Sequence, residues 1–120
     1  MNISVKTKNY QLTDAMRELI EGKFSALAKF EKGTEGTTAL ECEIEQSIAA
    51  GRAGARYRAE GNLTINGKLF RAEAMDDTLE GAVDSVRDDL TRELGRARGR
   101  ARGLLKRGGA AFKRWLRFGR

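Results

Sequence analysis

The sequence predicts an α+β domain with the element order β-α-β-β-β-α, and two patterns carry the prediction. Apolar residues recur at every second position in residues 3–7, 40–44 and 57–65, which is the period of half-buried strands. They recur every three or four positions in residues 14–30 and about 77–104, which is the period of amphipathic helices. We therefore expect a four-stranded, mainly antiparallel sheet with two helices packed on one face.

The first strand and the first helix follow each other directly. Ile3 and Val5 alternate with polar residues, which predicts a short strand. Thr13 is a good N-cap, and Asp14 complements the positive end of a helix dipole. The apolar residues that follow at helical spacing are Met16, Leu19, Ile20, Phe24, Leu27 and Phe30. They predict one helix over about residues 14–30.

The middle of the chain alternates between an apolar and a charged face. Leu40, Cys42 and Ile44 alternate with three glutamates, so we expect Cys42 in the core as a small buried hydrophobe. Asn66-Gly67 predicts a two-residue type I′ hairpin turn, which pairs Leu63 with Phe70, Gly61 with Ala72 and Ala59 with Ala74. On the other face we expect Arg56 and Arg58 to pair with acids of neighbouring strands.

A second helix begins after Asp76. Asp77 and Glu80 have the spacing of a capping box. The buried stripe is predicted to contain Leu79, Val83, Val86, Leu90 and Leu94, continued by Ala97, Ala101 and Leu104. Gly108-Gly109 is expected to end the helix.

Charge is distributed unevenly along the 120 residues. Residues 96–120 hold ten Lys/Arg and no acid, so residues 1–95 hold 13 of the 23 bases and all 17 acids, a net charge of −4. We therefore predict an α+β domain over residues 1–95 and a basic extension over residues 96–120. Such a block of positive charge is typical of segments that bind polyanions.

Composition argues against catalysis. The chain has no His, which removes the commonest general base and metal ligand, and it has one Cys, which excludes an internal disulfide. We expect no catalytic, cofactor-binding or metal-binding residue and no small-molecule substrate. The N-terminus has no apolar signal segment, and no apolar run is long enough to span a membrane, so we expect a cytoplasmic protein.

The basic extension has two parts. Gly95, Gly99 and Gly103 alternate with arginines, which predicts a frayed or flexible helix whose backbone can approach phosphates, or else a plain linker. Beyond Gly109, Phe112 and Trp115 alternate with cations as in an amphipathic helix, which fits an anionic membrane, nucleic-acid bases or a protein groove equally. The extension's candidate RNA-binding residues are Arg96, Arg98, Arg100, Arg102, Lys106, Arg107, Lys113, Arg114, Trp115 and Arg117.

Lys23 interrupts the apolar stripe of the first helix. It is either a side chain that extends from the edge of the core to solvent or a functional cation in a groove between the two helices.

Several segments together resemble the family of ribosome hibernation-promoting factors and ribosome-associated translation inhibitors, also called sigma-54 modulation proteins. They are the first strand, Leu12-Thr13-Asp-Ala15-Met-Arg17, Lys23-Phe-x-x-Leu27-x-Lys29-Phe30, the Asn-Gly hairpin and Ala82-Val83-Asp84. The resemblance covers about residues 2–98. It implies a fold related to double-stranded-RNA-binding domains.

The resemblance also implies a function. Members of this family bind the small ribosomal subunit near the decoding centre, occupy the mRNA and tRNA sites, and hold ribosomal RNA with basic side chains. The matching positions are Lys8, Arg17, Lys23, Lys29, Arg92, Arg96 and Arg100. The chain departs from the family at Glu80, where an aromatic residue is usual, and at Asp89 and Ala26, where bases are frequent.

The sequence therefore predicts a ribosome-associated, non-enzymatic translation inhibitor that acts as a monomer, without the separate dimerisation domain of longer relatives. Two alternatives remain: a peripheral membrane protein held by its basic tail, and a general RNA chaperone.

Overall fold

The computed structural model describes residues 1–31, 36–48 and 55–107. Strands β1 (Asn2–Lys8), β2 (Ala39–Ile48), β3 (Ala55–Ile65) and β4 (Lys68–Asp76) form one sheet in that order. β1 runs parallel to β2, and the other neighbours are antiparallel. Helices α1 (Asp14–Phe24) and α2 (Leu79–Arg107) pack on the apolar face of the sheet. The predicted α+β fold and element order are confirmed.

The β3–β4 hairpin has the predicted turn and register. Asn66 and Gly67 both have positive φ, 53° and 71°, as a type I′ turn requires. Leu63 pairs with Phe70, and Gly61 pairs with Ala72. This register places Leu63, Phe70 and Ala72 on the face that packs against the helices, whereas Leu69 and Met75 lie exposed on the other face.

The predicted first helix is wrong at its C-terminal end. The α-helix stops at Phe24, and residues Ser25–Glu31 form a 3₁₀ helix. Phe24, Leu27 and Phe30 are three residues apart and all buried, which matches the three residues per turn of a 3₁₀ helix. The Ser25 hydroxyl donates to the carbonyl of Gly22 (2.6 Å) at the point where the geometry changes.

The predicted N-cap is confirmed for α1 but not for α2. Thr13 caps α1 as expected, since its hydroxyl accepts from the Met16 amide at 3.2 Å. The predicted capping box of Asp77 and Glu80 is wrong. The structure instead uses Thr78, whose hydroxyl accepts from the Gly81 amide at 3.0 Å, because α2 begins one residue later, at Leu79.

Helix α2 ends at Arg107, three residues beyond the approximate end at residue 104 and immediately before the Gly108-Gly109 pair that is expected to end it. It continues through Gly95, Gly99 and Gly103, although each glycine costs a helix about 1 kcal/mol relative to Ala. Leu94 and Ala97 are buried against the rest of the domain, and they anchor the helix where glycine weakens it. The helix passes through the predicted boundary between residues 95 and 96, so that division stays a prediction.

Candidate nucleic-acid interface

Helix α2 carries cations on two different sides. Arg92, Arg96 and Arg100 are four residues apart, so they lie along one side of the helix. They line a groove between α2 and strand β4. Arg98 lies on the side that faces the 3₁₀ helix, where its guanidinium donates to the carbonyl of Lys29. The structure therefore separates residues that the sequence placed in one basic segment.

The groove has a volume of about 500 Å³ and is open to solvent. Lys68 and Phe70 of β4 line its opposite wall, with the Lys68 ammonium 5.6 Å from the centre of the Phe70 ring. Phe70 is almost fully buried, so the wall is apolar beneath a charged rim.

Two acids partly neutralise the positive charge of the groove. Arg92 pairs with Asp89, and the Arg96 guanidinium is 2.7 Å from the Glu93 carboxylate, both at a spacing of three residues. Hydrogen bonding to Asp89 raises the pKa of Arg92. Both arginines are about 60% exposed (61% and 59%), so phosphates can compete with these carboxylates for them. Arg100, also exposed, adds a third cation to the same row.

On the other side of α2, Arg98 packs against the 3₁₀ helix. Its guanidinium is 4.7 Å from the centre of the Phe30 ring, and the Lys29 ammonium is 5.3 Å from the same ring. Both cations therefore interact with the same aromatic ring. The contact joins the C-terminal half of α2 to the 3₁₀ helix.

Lys23 joins the two helices. Its ammonium is 2.7 Å from the Asp84 carboxylate of α2, and the Arg87 guanidinium lies 3.2 Å from the same carboxylate. The Lys23 side chain is 19% exposed, so the interruption of the apolar stripe is an interhelical ion pair. Its predicted contact with RNA stays a prediction.

Lys8 and Arg17 are not among the residues that line the groove. Lys8 ends β1 beside Glu45, at the end of the sheet where β4 finishes, whereas the groove adjoins the start of β4. Its ammonium is 3.5 Å from Glu45 and its side chain is 68% exposed. Arg17 is exposed on the second turn of α1. The structure therefore does not bring all the predicted basic residues into one site.

Seven of the predicted RNA-binding residues have side chains outside the described part of the structure. Arg102, Lys106 and Arg107 are positions of α2. Lys113, Arg114, Trp115 and Arg117 lie outside the described residues. Lys68 was missed by sequence reasoning, because only the packing of α2 beside β4 makes it part of the groove.

The open face of the sheet neutralises its own charges. Arg58 contacts Glu60 at 2.7 Å, Glu73 at 2.9 Å and Glu43 at 3.5 Å. Glu60 also accepts from Arg71 at 2.8 Å. The predicted cross-strand pairing of Arg58 is confirmed, and Arg56 instead lies 3.5 Å from Asp77, just beyond β4.

These contacts shift the pKa values of the open face. Hydrogen bonds from Asn62 and Arg71 lower the pKa of Glu60. A hydrogen bond to Glu73 raises the pKa of Arg58 and lowers that of Glu73. All these groups stay charged near neutral pH, so the face is a satisfied network and not a row of free anions.

Cys42 is buried in the core, as predicted. Burial, with a smaller contribution from the charge of Glu43, raises the pKa of its thiol to about 12. The thiolate is the reactive form of cysteine, so this side chain is inert near neutral pH.

Among the described residues, no three or more Cys and acidic side chains lie together in a group that could hold a metal ion. No helix in this part of the chain is long and apolar enough to cross a membrane.

Fold and groove together define a class: a small α+β domain with two helices on one sheet face and a row of arginines along the longer helix. Comparison with known proteins identifies the family. The family described as sigma 54 modulation protein / S30EA ribosomal protein matches residues 3–102, so the chain belongs to it. The resemblance inferred from the sequence is confirmed.

Two solved structures share the fold. The Thermus thermophilus Protein Y N-terminal domain is 30% identical, with a TM-score of 0.62 over 80% of this chain and 98% of that one. A ribosomal subunit interface protein from Coxiella burnetii is 19% identical, with a TM-score of 0.60 over 82% of this chain and 99% of that one. None of the curated proteins compared with the chain matches it.

Proposed function

We propose that this protein is a ribosome hibernation factor. It binds the small ribosomal subunit near the decoding centre, blocks the mRNA and tRNA sites, and inhibits translation in idle ribosomes. It acts in the cytoplasm as a monomer, and it performs no catalysis. Membership of the S30EA family supports the ribosome as its partner, as does the likeness to a ribosomal subunit interface protein.

The observation that carries the proposal is the row of Arg92, Arg96 and Arg100 along the groove. Guanidinium groups on a rigid helix bind phosphates without reading bases. Folded ribosomal RNA presents closely spaced phosphates, so recognition rests on shape and charge. A domain seated in the channel inhibits by occupying the space that mRNA and tRNA need.

The mechanism requires direct competition on the small subunit. Purified small subunits that are saturated with the protein should fail to bind a labelled mRNA or an initiator tRNA, and translation in vitro should stop at stoichiometric protein. Unchanged mRNA and tRNA binding by subunits that demonstrably carry the protein would contradict the proposed mechanism.

Binding and sedimentation measurements separate the two alternatives. A general RNA chaperone binds naked RNA as tightly as assembled subunits, whereas a hibernation factor prefers the assembled subunit. A peripheral membrane protein sediments with anionic liposomes and not with ribosomes.

A further inference from the structure

We propose that the groove between α2 and the free edge of β4 holds a single RNA strand. Arg92, Arg96 and Arg100 contact successive phosphates from one wall, and the backbone N–H groups of Leu69 and Arg71 contact the strand from the other. The inference rests on the proposed function and adds to it the kind of RNA and a binding wall made of backbone.

The wall on β4 follows from the hairpin register. β4 is last in the strand order, so among the described residues no strand pairs with its outer edge. Ile65 and Lys68 close a two-residue turn and exchange both of their backbone hydrogen bonds. In an antiparallel ladder the direction of the N–H groups then alternates. Lys68, Phe70 and Ala72 point their N–H groups at β3, whereas Leu69 and Arg71 point theirs outwards.

These outward groups face the groove. Leu69 and Arg71 line it, although their side chains belong to the opposite, open face of the sheet. The Arg71 guanidinium is held there by Glu60 at 2.8 Å. We therefore infer that these two residues present backbone to the groove. Their N–H groups are of a kind that commonly binds phosphates, and their carbonyl groups, which point the same way, can accept from ribose hydroxyls.

The two walls repeat at nearly the same interval. Arginines four residues apart on a helix are separated by about 6 Å along its axis. Outward N–H groups two residues apart on a strand are separated by about 6.6 Å. Both intervals are close to the distance between neighbouring phosphates of an extended RNA strand. One strand can thus meet one arginine per phosphate.

The row of arginines has a definite length. The next positions at the same spacing are Asp88 before it and Leu104 after it, so the row contains three cations. The groove therefore fits about three phosphates of one strand.

The geometry disfavours a duplex. The groove has a volume of about 500 Å³, which has room for a short stretch of one strand. The Arg71 guanidinium is paired with Glu60 on the open face of the sheet, and Arg98, which lies between Arg96 and Arg100 in the sequence, is on the far side of α2 against Phe30. The second backbone of a duplex would find no matching row of cations within the groove.

The first test measures phosphate contacts by their salt dependence. Fluorescence anisotropy of the full chain with a short unstructured RNA gives the slope of log affinity against log salt. Arg96→Gln should reduce the steepness of this slope by about 0.7, the value for one phosphate of a single strand. Arg56→Gln is the matched control, because it removes the same charge at the other end of the sheet, where the Arg56 guanidinium lies 3.5 Å from the exposed Asp77.

The second test isolates the backbone wall. Leu69→Pro removes an outward N–H, and an edge strand tolerates this change because the ladder to β3 does not use that group. Leu69→Ala removes the side chain and keeps the N–H. We expect Leu69→Pro to weaken binding of the unstructured RNA several-fold and Leu69→Ala to bind like the unmodified chain, with circular dichroism confirming that both fold. If Leu69→Pro does not fold, the salt dependence of RNA binding by Arg96→Gln decides whether the inference holds.

Three results would overturn the inference. They are equal slopes for Arg96→Gln and Arg56→Gln, equal binding by folded Leu69→Pro and Leu69→Ala, and an equal effect of Arg96→Gln on an RNA hairpin with the same number of phosphates. Equal binding of an acidic peptide would reduce the groove to a general anion site. Sedimentation of the unmodified chain with small subunits tests the proposed function separately, so either idea can fail alone.

Discussion

Glu60 holds together the open face of the sheet. Its side chain is 13% exposed, and it accepts from Arg58 at 2.7 Å, Arg71 at 2.8 Å and Asn62 at 3.0 Å. The network links side chains of β3 and β4 on the open face, and β4 is the strand that borders the groove. Arg71 is fixed by it, so the backbone of β4 is held in place from the face opposite the helices.

We predict that Glu60→Gln lowers the free energy of unfolding by about 1–3 kcal/mol at neutral pH, because charged hydrogen bonds are lost and Arg58 keeps only two acids. The folded pKa of Glu60 is lowered, so its contribution is present above the unfolded pKa and is lost as pH falls through the folded pKa. Urea unfolding at several pH values should therefore show a smaller loss of stability on acidification for the variant. An equally steep acid limb would contradict this role.

Residues whose environment depends on local alternation could be predicted from sequence. The burial of Cys42 could be predicted because it alternates with acids along its strand. The cap at Thr13 could be predicted because an apolar stripe at helical spacing follows it. The partner of Lys23 could not be predicted, because Asp84 is 61 residues away and only the packing of α1 against α2 brings them together.

At the scale of elements, the contact of α2 with β3 depends on Gly61. A Cβ at this position would lie 2.8 Å from Cγ1 of Val86 and 3.2 Å from Cδ1 of Leu90. The absence of a side chain lets the helix approach the sheet closely. Gly95, by contrast, has open space where a Cβ would be.

Gly61→Ala should destabilise the fold by about 1–3 kcal/mol, because the added methyl overpacks the contact between α2 and β3. Gly95→Ala is the matched control, and it should raise stability by up to about 1 kcal/mol, because alanine favours the helix. Thermal unfolding of the two variants should therefore shift in opposite directions. A stabilised Gly61→Ala would show that α2 does not pack as described.

Element types could be predicted from periodicity, but their ends could not. The steps of three residues at Phe24, Leu27 and Phe30 fit either the end of an α-helix or a 3₁₀ helix, and tertiary packing selects the second. The three glycines of α2 predicted fraying, yet the helix is continuous to Arg107, and Leu94 and Ala97 are buried on either side of the first of these glycines, Gly95.

For the whole molecule, the charge is polarised along α2. The first half of the helix carries acids such as Asp84, Asp88 and Asp89, whereas residues 96–107 contain bases and no acid. Of these cations, Lys106 and Arg107 belong to the last turn, where a helix dipole favours positive charge. We therefore expect this end of the helix to be the part that meets polyanions.

Association with ribosomal RNA should accordingly depend strongly on salt. If about six phosphates are neutralised, affinity should fall roughly a thousandfold between about 50 and 200 mM salt. Binding to small subunits measured across this range would test the expectation. An affinity that does not change with salt concentration would contradict binding through phosphate contacts.

The basic end of the molecule could be predicted by counting charges, but the groove could not. The sequence does not show that the starting end of β4 borders the side of α2 that carries Arg92, Arg96 and Arg100. Nor does it show that Arg98 turns away towards Phe30. Both depend on how the helix is rotated on the sheet.

The most direct test of the account is co-sedimentation of the full chain with purified small ribosomal subunits. It compares the unmodified chain, the triple variant Arg92→Gln, Arg96→Gln, Arg100→Gln, and the control Arg56→Gln, with anionic liposomes as a second target. We predict stoichiometric sedimentation of the unmodified chain and the control with the subunits, a loss of at least tenfold in affinity for the triple variant, and no preference for liposomes. Undiminished sedimentation of the triple variant, or sedimentation with liposomes alone, would contradict it.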